Sequence, residues 1–428
     1  MDGCKSRGSG RLKNMFRAFR YRNYRLFFFG QGISLIGTWI QQVALSWLVY
    51  RLTGSTLLLG TVAFCNQIPT LFLGPFAGVV ADRFDRKGLL LWIQTTAMVQ
   101  AFVLAALVLA HCIKPWEIIA LSILMGTIYA FDIPVRQAFV LAMVENRDDL
   151  GNAIALSSAM FNCARFIGPS IAGLLISAFG EGVCFLVNAI SFLAVLAALQ
   201  AIRVPKKEGR RKNGRVLGEF REAVVYAVEF KPILGLLAML AVFALAGAPY
   251  MVVMPAFAKD ILHGDANTYG LLMSFSGMGA IGGTLYLASR RNAHGLIKLI
   301  PLAVGVFALS LCAFAFSHTF TLCALFVFFT GFSMMTHIAS SNTIIQTVVD
   351  EDKRGRVMSL YAMSFMGVMP FGSLLAGSLA ATIGVRDTLV AGACLCALGA
   401  VVFSLRLPGL SRMLLPHFSR VESEAQID

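Results

Sequence analysis

Charge is scarce in this sequence. Asp, Glu, Lys and Arg make up 14% of its 428 residues, whereas a water-soluble domain carries about a quarter. That excludes an ordinary soluble fold, although the length alone suggests two or three domains. Clustered cysteine is missing too. Nine cysteines (Cys4, Cys65, Cys112, Cys163, Cys184, Cys312, Cys323, Cys394, Cys396) are scattered, mostly in mid-run, with no CxxC. An odd count so placed is neither a disulfide framework nor a zinc site, and these residues are read as packing. Enzyme signatures are absent as well. There is no GxxxxGK[ST] loop, so ATP is not a driving force within this chain, and neither HExxH nor GxSxG occurs. Gly277-Met-Gly279-Ala-Ile-Gly282 does match GxGxxG, but it sits inside an apolar run with no preceding strand. With Gly283 it reads as a close helix-packing surface. No enzymatic activity, cofactor or metal is expected. The basic N-terminus lacks a short apolar core followed by a small-residue cleavage site, so the first apolar run is expected to be retained.

What the sequence has instead is long apolar runs, within an overall hydrophobic content of 57%. Leu26–Tyr50, Gly88–Ala110, Val183–Ile202 and Leu296–Phe316 each supply the roughly 20 residues that an α-helix needs to cross a ~30 Å hydrocarbon layer. Lipid cannot satisfy backbone polar groups, so such runs mean spanning helices, while barrel strands would be short and alternating. Twelve spans are predicted, at about 26–50, 57–81, 88–111, 116–138, 151–178, 183–203, 232–257, 268–289, 295–316, 320–347, 356–383 and 386–406. The fold class is an all-α polytopic membrane protein.

The net charge of +14 is a topology signal rather than a nucleic-acid footprint. With the N-terminus in the cytoplasm, 30 of the 36 Lys and Arg fall on the inner face, and the opposite face holds only Arg51, Lys114, Lys259 and Arg386. Arg136 and Arg165 lie within spans. So lopsided a count places both termini inside. Sliding the chain on itself by 205 residues lays Gly78 on Gly283, Arg86 on Arg291, Gly126 on Gly331, Glu145 on Asp350 and Asp132 on His337; after a slip of about four, Pro169 meets Pro370. The expected organisation is a basic segment 1–25, a six-helix bundle 26–203, a cytoplasmic linker 204–231, a second, pseudo-symmetric six-helix bundle 232–407 and a tail 408–428. Parallel six-span halves are a common transporter architecture. In the linker, Leu217, Phe220, Val224 and Val228 share one face, as in a helix lying along the membrane surface.

Specific runs carry a resemblance. Gly78-Val-Val-Ala-Asp82-Arg83-Phe84-Asp85-Arg86-Lys87, between the second and third spans, resembles the signature loop of the major facilitator superfamily. Gly168-Pro169-Ser170-Ile171-Ala172-Gly173 resembles that superfamily's antiporter motif. Three more runs, Gly37–Trp47, Leu52–Ser55 and Phe131–Phe139, resemble its drug and siderophore exporter branch, which includes enterobactin and macrolide exporters. The likeness covers roughly residues 16–407. Asp85 departs from the usual Gly, and the second-half copy, Gly283 to Asn292, has lost its Asp. The resemblance implies that Asp82 faces the start of the eleventh helix, here Gly355–Met358, where a carboxylate stabilises the positive end of the helix dipole. Arg83, Arg86 and Lys87 are then expected to pair with Glu145, Asp148 or Asp149 as a cytoplasmic latch. The alternative is an ordinary charged turn.

Polar stripes inside spans are candidates for a pathway. They comprise Gln31, Ser34, Thr38 and Gln41 or Gln42 in the first span, Ser122, Tyr129, Asp132 and Arg136 in the fourth, Ser158, Asn162 and Arg165 in the fifth, and Thr330, Ser333, His337 and Ser341 in the tenth. The resemblance implies that helices one, four, seven and ten line the central cavity; Tyr250 represents the seventh, and Tyr361 and Phe365 the eleventh. Helix–helix hydrogen bonding is the competing explanation. Ionisable groups in hydrocarbon cost roughly 2.5–3.5 kcal/mol on insertion scales and mark a partner or a pathway. Asp132 is a candidate for the coupling proton, tuned by Arg136 or Arg165, and an intrahelical pair with Arg136 is its plainer reading. His337 is a second candidate, or a core histidine. The Met- and Phe-rich tenth and eleventh spans suit an adaptable apolar surface for neutral or anionic amphiphiles.

The expectation from sequence is therefore a monomeric secondary exporter of a bacterial inner membrane. It would be proton-coupled, with a small-molecule substrate, the lipid bilayer as its surroundings and no nucleic-acid partner. A lipid or lysolipid flippase on the same fold, and a non-transporting sensor or scaffold, are the alternatives.

Overall fold

A computed structural model describes residues 17–144, 146, 149–204, 225–290 and 295–424, apart from the side chains of Pro75, Asp82, Asp352 and residues 415–424. Among the described residues the chain is helical, without strands. Twelve helices are long and apolar enough to cross a membrane. They are α1 (Arg22–Thr53), α2 (Thr56–Arg83), α3 (Arg86–Leu109), α4 (Pro115–Met143), α5 (Leu150–Phe179), α6 (Glu181–Ala201), α7 (Lys231–Ile261), α8 (Ala266–Ala288), α9 (Leu296–Ala315), α10 (Phe320–Val348), α11 (Lys353–Ile383) and α12 (Val385–Glu424). Each predicted span has its helix.

Local chemistry punctuates the run of apolar residues. Asp85 accepts the Gly88 amide at 3.1 Å and caps α3. Pro115 opens α4, where the Lys114 amide donates to Glu117 at 2.9 Å. Glycines with left-handed backbone, Gly180 (φ 83°) and Gly384 (φ 89°), make the turns before α6 and α12, a conformation open to glycine at no steric penalty. These two turns occupy equivalent places in the internal repeat.

The described residues group into two compact units, those within 1–44 and 72–212 and those within 45–71 and 213–428. In the first, α3 packs between α4 and α6 around Leu90, Ile93, Ala97, Met125, Val135, Phe139, Phe192 and Val195. In the second, α9 packs against α10 and α12, and α8 against α10. The α8–α10 contact has no room for side chains at its centre. A Cβ on Gly279 would fall on the Phe328 carbonyl oxygen, one on Gly283 would lie 2.5 Å from that of Phe332, and one on Gly331 would fall on that of Ser276. The GxGxxG match is a helix-packing surface.

The far halves of α1 and α2, residues Leu45–Leu71, belong to the second unit. Trp47 stacks on Tyr269 of α8 at 6.2 Å, and Phe64 meets Phe371 of α11 at 5.8 Å. Gly60 and Gly377 meet so closely that a Cβ on Gly60 would lie 2.7 Å from the Ser373 carbonyl oxygen. Tyr50 donates its hydroxyl to Asp260 at the end of α7, and Lys259 lies 5.5 Å from the Tyr50 ring centroid.

Two helices of this unit are broken. A π-helical turn at Phe243–Gly247 precedes Pro249 in α7, and another at Met363–Gly367 precedes Pro370 in α11. Proline lacks an amide hydrogen and crowds the carbonyl four residues back, and a wider turn relieves that clash. The carbonyls of Ala244 and Leu245 lie against Gly372 of α11, which is bare enough to admit them. At the chain's end α12 overruns the predicted boundary at 406: its 40 residues span about 60 Å, and Leu410 and Leu414 are buried. Leu217, Phe220 and Val224 of the linker stripe lie outside the described residues, and Val228 is exposed.

Candidate functional site

Asp132 sits on α4 with 5% of its surface exposed. Gln94 of α3 donates to one carboxylate oxygen at 2.7 Å, and Arg136, one turn along α4, pairs with the other at 2.9 Å. The Arg136 side chain keeps 21% of its surface exposed, so the carboxylate is buried while its cation reaches towards open space. In hydrocarbon this arrangement satisfies both charges at once, and the i,i+4 spacing sets it up within one helix. Arg165, on α5, lies beside Trp39 of α1. Its guanidinium lies 5.9 Å from the centre of the Trp39 ring, where an aromatic face stabilises a cation. Gly168, one turn on, brings α5 so close to α1 that a Cβ there would lie 2.5 Å from Trp39 Cβ. Pro169 and Gly173 follow, both buried within α5.

The polar stripe of α1 divides. Gln41 turns into helix packing: it donates to Gln100 of α3 at 3.1 Å and accepts from Asn188 of α6 at 2.8 Å. Gln100 continues to the Leu121 carbonyl of α4 at 3.3 Å. This amide chain ties four helices together. Gln42, in contrast, is exposed. Gln31 is buried, and Thr38 is half-buried with its hydroxyl on the Ser34 carbonyl. Asn162 is buried, and its amide donates to the Ser158 carbonyl at 3.0 Å.

In the second unit, Tyr250 is buried with its hydroxyl 2.7 Å from Ser276 Oγ, and the Tyr361 hydroxyl donates to the Ile338 carbonyl at 2.8 Å. Phe365 is half-buried. His337 and Ser341 are wholly buried on α10, and the His337 ring packs 5.1 Å from Phe243 in the π-turn of α7. Of the eight residues expected to line a cavity, Gln42 alone is exposed in this conformation.

At the α2–α3 turn, Arg86 donates to the Ala138 carbonyl at 3.1 Å, and Lys87 to the carbonyls of Ile202 at 2.6 Å and Gln200 at 3.3 Å. Lys87 thereby lies at the last carbonyls of α6, where a cation complements the helix dipole. Arg83 is exposed, and a Cβ on Gly78 would meet nothing within 4 Å. Glu145, Asp148 and the Asp82 side chain lie outside the described residues. Asp149, one of the three acidic residues offered to the latch, meets other partners in this structure. Its carboxylate is taken by Arg20 at 2.6 Å and the Tyr21 hydroxyl at 2.9 Å, because the turn Arg17–Arg20 folds over the start of α5, where the Ala18 amide donates to Asn152 at 3.0 Å.

These features sit on a chain whose residues 14–422 match the family described as transmembrane secretion effectors, of the major facilitator superfamily. The chain belongs to that family. Similar proteins include the staphyloferrin A transporter of Staphylococcus aureus, 26% identical over 370 residues covering 85% of this chain and 91% of that one. The enterobactin exporter EntS of Salmonella typhi is 26% identical over 398 residues (90% and 91%), and macrolide efflux protein A of Streptococcus pyogenes is 22% identical over 378 residues (86% and 92%). Among solved structures, a bacterial homologue of the lysosomal transporter Spinster superposes with a TM-score of 0.71 at 13% identity, covering 93% of this chain and 98% of that one. A bacterial ferroportin homologue superposes at 0.68 with 18% identity, covering 90% and 98%. The structural likeness establishes the fold. As a member of this family the chain is a multi-pass membrane transporter, not an enzyme.

Sequence reasoning missed three parts of the transporter's polar interior: Gln94 as the second partner of Asp132, the Gln41–Gln100–Asn188 chain, and the Arg20–Asp149 contact. Gln94 and Gln100 carried a signal, since each is an amide within an apolar span.

Proposed function

We propose that this transporter is a proton-coupled antiporter that exports amphiphilic small molecules such as drugs or siderophores by alternating access. It works as a monomer in a bacterial cytoplasmic membrane, with both termini in the cytoplasm. The Lys/Arg asymmetry of the loops supports the orientation, and relatives named for staphyloferrin A transport, enterobactin export and macrolide efflux support the substrate class.

The observation that carries the coupling is the buried Asp132 carboxylate, shared between Gln94 and Arg136. While ionised it holds both donors. A proton arriving on the carboxylate removes the charge that Arg136 was paired with and turns one acceptor oxygen into a donor. Arg136 then swings towards solvent, and the α3–α4 contact through Gln94 loosens. That is a local two-state element of the kind that a transport cycle requires. In this reading the Tyr50–Asp260 contact and the Gly60–Gly377 seam close the outer side, and both part when the pathway opens outward.

Inverted membrane vesicles with an imposed proton gradient test the proposal. Siderophores, macrolides, cationic dyes and lysolipids are added in turn while internal pH is followed. A proton leak triggered by one compound class and lost in Asp132→Asn is the expected outcome. A substrate-triggered leak of equal size in the variant would remove Asp132 from the mechanism.

A further inference from the structure

The helix α10 carries an unusual stripe. Ser333, His337, Ser340 and Ser341 are each at most 1% exposed, and their hydroxyls and both imidazole nitrogens have no hydrogen-bond partner among the described residues. At ~100° per residue the four lie on one face of the helix. Buried polar groups are paired in nearly all native structures, so such a group points to a conformation or a ligand that satisfies it. Four on one face point to the same event.

At His337 this face is covered by an aromatic ring of α7. Phe243 is wholly buried and sits 5.1 Å from the His337 ring, with Phe307 edge-on behind it at 4.6 Å. Phe243 opens the π-helical turn Phe243–Gly247, in which the Ala248 amide reaches back five residues to the Phe243 carbonyl at 2.9 Å. Tightening a π-turn to an α-turn shifts the register by one residue, rotating whatever precedes it by ~100°. That rotation carries the Phe243 ring away from His337 while the rest of α7 keeps its hydrogen bonds.

We propose that Ser333, His337, Ser340 and Ser341 form a covered substrate subsite that Phe243 uncovers, and that it receives an uncharged hydrogen-bonding group, a phenol, alcohol or amide. Hydroxyls and imidazole both donate and accept, which matches neutral polar groups. No carboxylate or guanidinium hydrogen-bonds to these four side chains among the described residues, and an ionised group left without a counter-charge in hydrocarbon is expensive. The assignment rests on the exporter reading above for the identity of its ligand as cargo. Its accessibility test needs no transport, so the two can fail separately.

The test places Ser341→Cys in a background whose native cysteines are replaced and follows its reaction with a membrane-impermeant methanethiosulfonate in vesicles. Gln42→Cys, at an exposed position, reports that the protein is folded and reachable. Ser341→Cys should react slowly, and about tenfold faster once Phe243→Ala is added, because the covered state loses its cover. 2,3-Dihydroxybenzamide, a neutral phenol amide, should slow the reaction in the Phe243→Ala background, and tetraphenylphosphonium, a cation without hydrogen-bonding groups, should not. If Ser341→Cys stays inert with Phe243→Ala while Gln42→Cys reacts, the covered subsite does not exist. If tetraphenylphosphonium protects as well as the phenol amide, or neither protects, the uncharged hydrogen-bonding ligand is wrong.

Discussion

Replacing Gly331 by alanine should destabilise the protein, although alanine is the better helix former. A Cβ at Gly331 would fall on the Ser276 carbonyl oxygen and lie 2.8 Å from its carbon and 3.0 Å from its Cα. All three atoms are backbone, so no side chain can turn aside, and α8 and α10 must separate along a contact that Gly279 and Gly283 also hold close. Overpacking of this kind costs about 1–3 kcal/mol, against a helix-propensity gain of about 1 kcal/mol, so a net loss of up to about 2 kcal/mol is expected. Gly305 is the control: it lies in α9 of the same unit, and a Cβ there meets nothing within 4 Å. Gly305→Ala should be neutral or stabilising. Thermal unfolding of the purified transporter in one detergent, followed for both variants, makes the comparison. Equal melting temperatures would refute the argument that backbone contact, rather than sequence preference, places glycine at 331.

Arg20→Ala leaves the Asp149 carboxylate, 3% exposed, with the Tyr21 hydroxyl but no cation. Because the Arg20 side chain is 56% exposed, the cost should be about 1–2 kcal/mol rather than that of a fully buried pair. A double-mutant cycle with Asp149→Asn should recover most of it, and additive losses would contradict the pairing. Gln41→Leu strands both Gln100 and Asn188 and should lower thermal stability by about 1 kcal/mol, while Gln42→Leu, at an exposed position, should not; the reverse order would mean that the α1 stripe is assigned backwards. Tyr50→Phe keeps the ring under Lys259 but loses the hydroxyl bound to Asp260. Gln67 of α2 donates to Ser373 Oγ of α11 at 3.4 Å beside the Gly60–Gly377 contact. A loss of about 1 kcal/mol should therefore speed outside labelling of Gln67→Cys roughly fivefold, and an unchanged rate would show that the Tyr50–Asp260 contact does not hold the seam closed.

The spans were legible because lipid leaves the backbone no alternative to the helix, and long apolar runs bounded by Gly, Pro and charge can be read one at a time. The Asp132–Arg136 pair was legible for a similar reason: both partners are on one helix, four residues apart. What escaped was every contact that needs a second helix. Gln94 lies 38 positions from Asp132, and no periodicity within α4 points to it. Gln41 and Gln42 are neighbours in sequence, and only the presence of Gln100 and Asn188 decides which of them packs inward. Asp149 was one of three acidic residues offered to the motif's cations, and its partner comes instead from the turn Arg17–Arg20. The overrun of α12 had a sequence signal in Leu410 and Leu414, one turn apart, which the surrounding Arg406 and Arg412 masked. The π-turns of α7 and α11 were foreshadowed by Pro249 and Pro370, although proline alone does not say whether a helix kinks or widens.

The most direct test of the central claim separates carrying from coupling in Asp132→Asn. Proteoliposomes loaded with a labelled compound that triggers proton movement in the wild-type protein are assayed twice, once for exchange against unlabelled compound without any gradient, and once for uphill transport driven by an imposed proton gradient. If Asp132 carries the coupling proton, the variant keeps exchange near the wild-type rate and loses gradient-driven accumulation. Uphill transport by Asp132→Asn at the wild-type level would contradict the account.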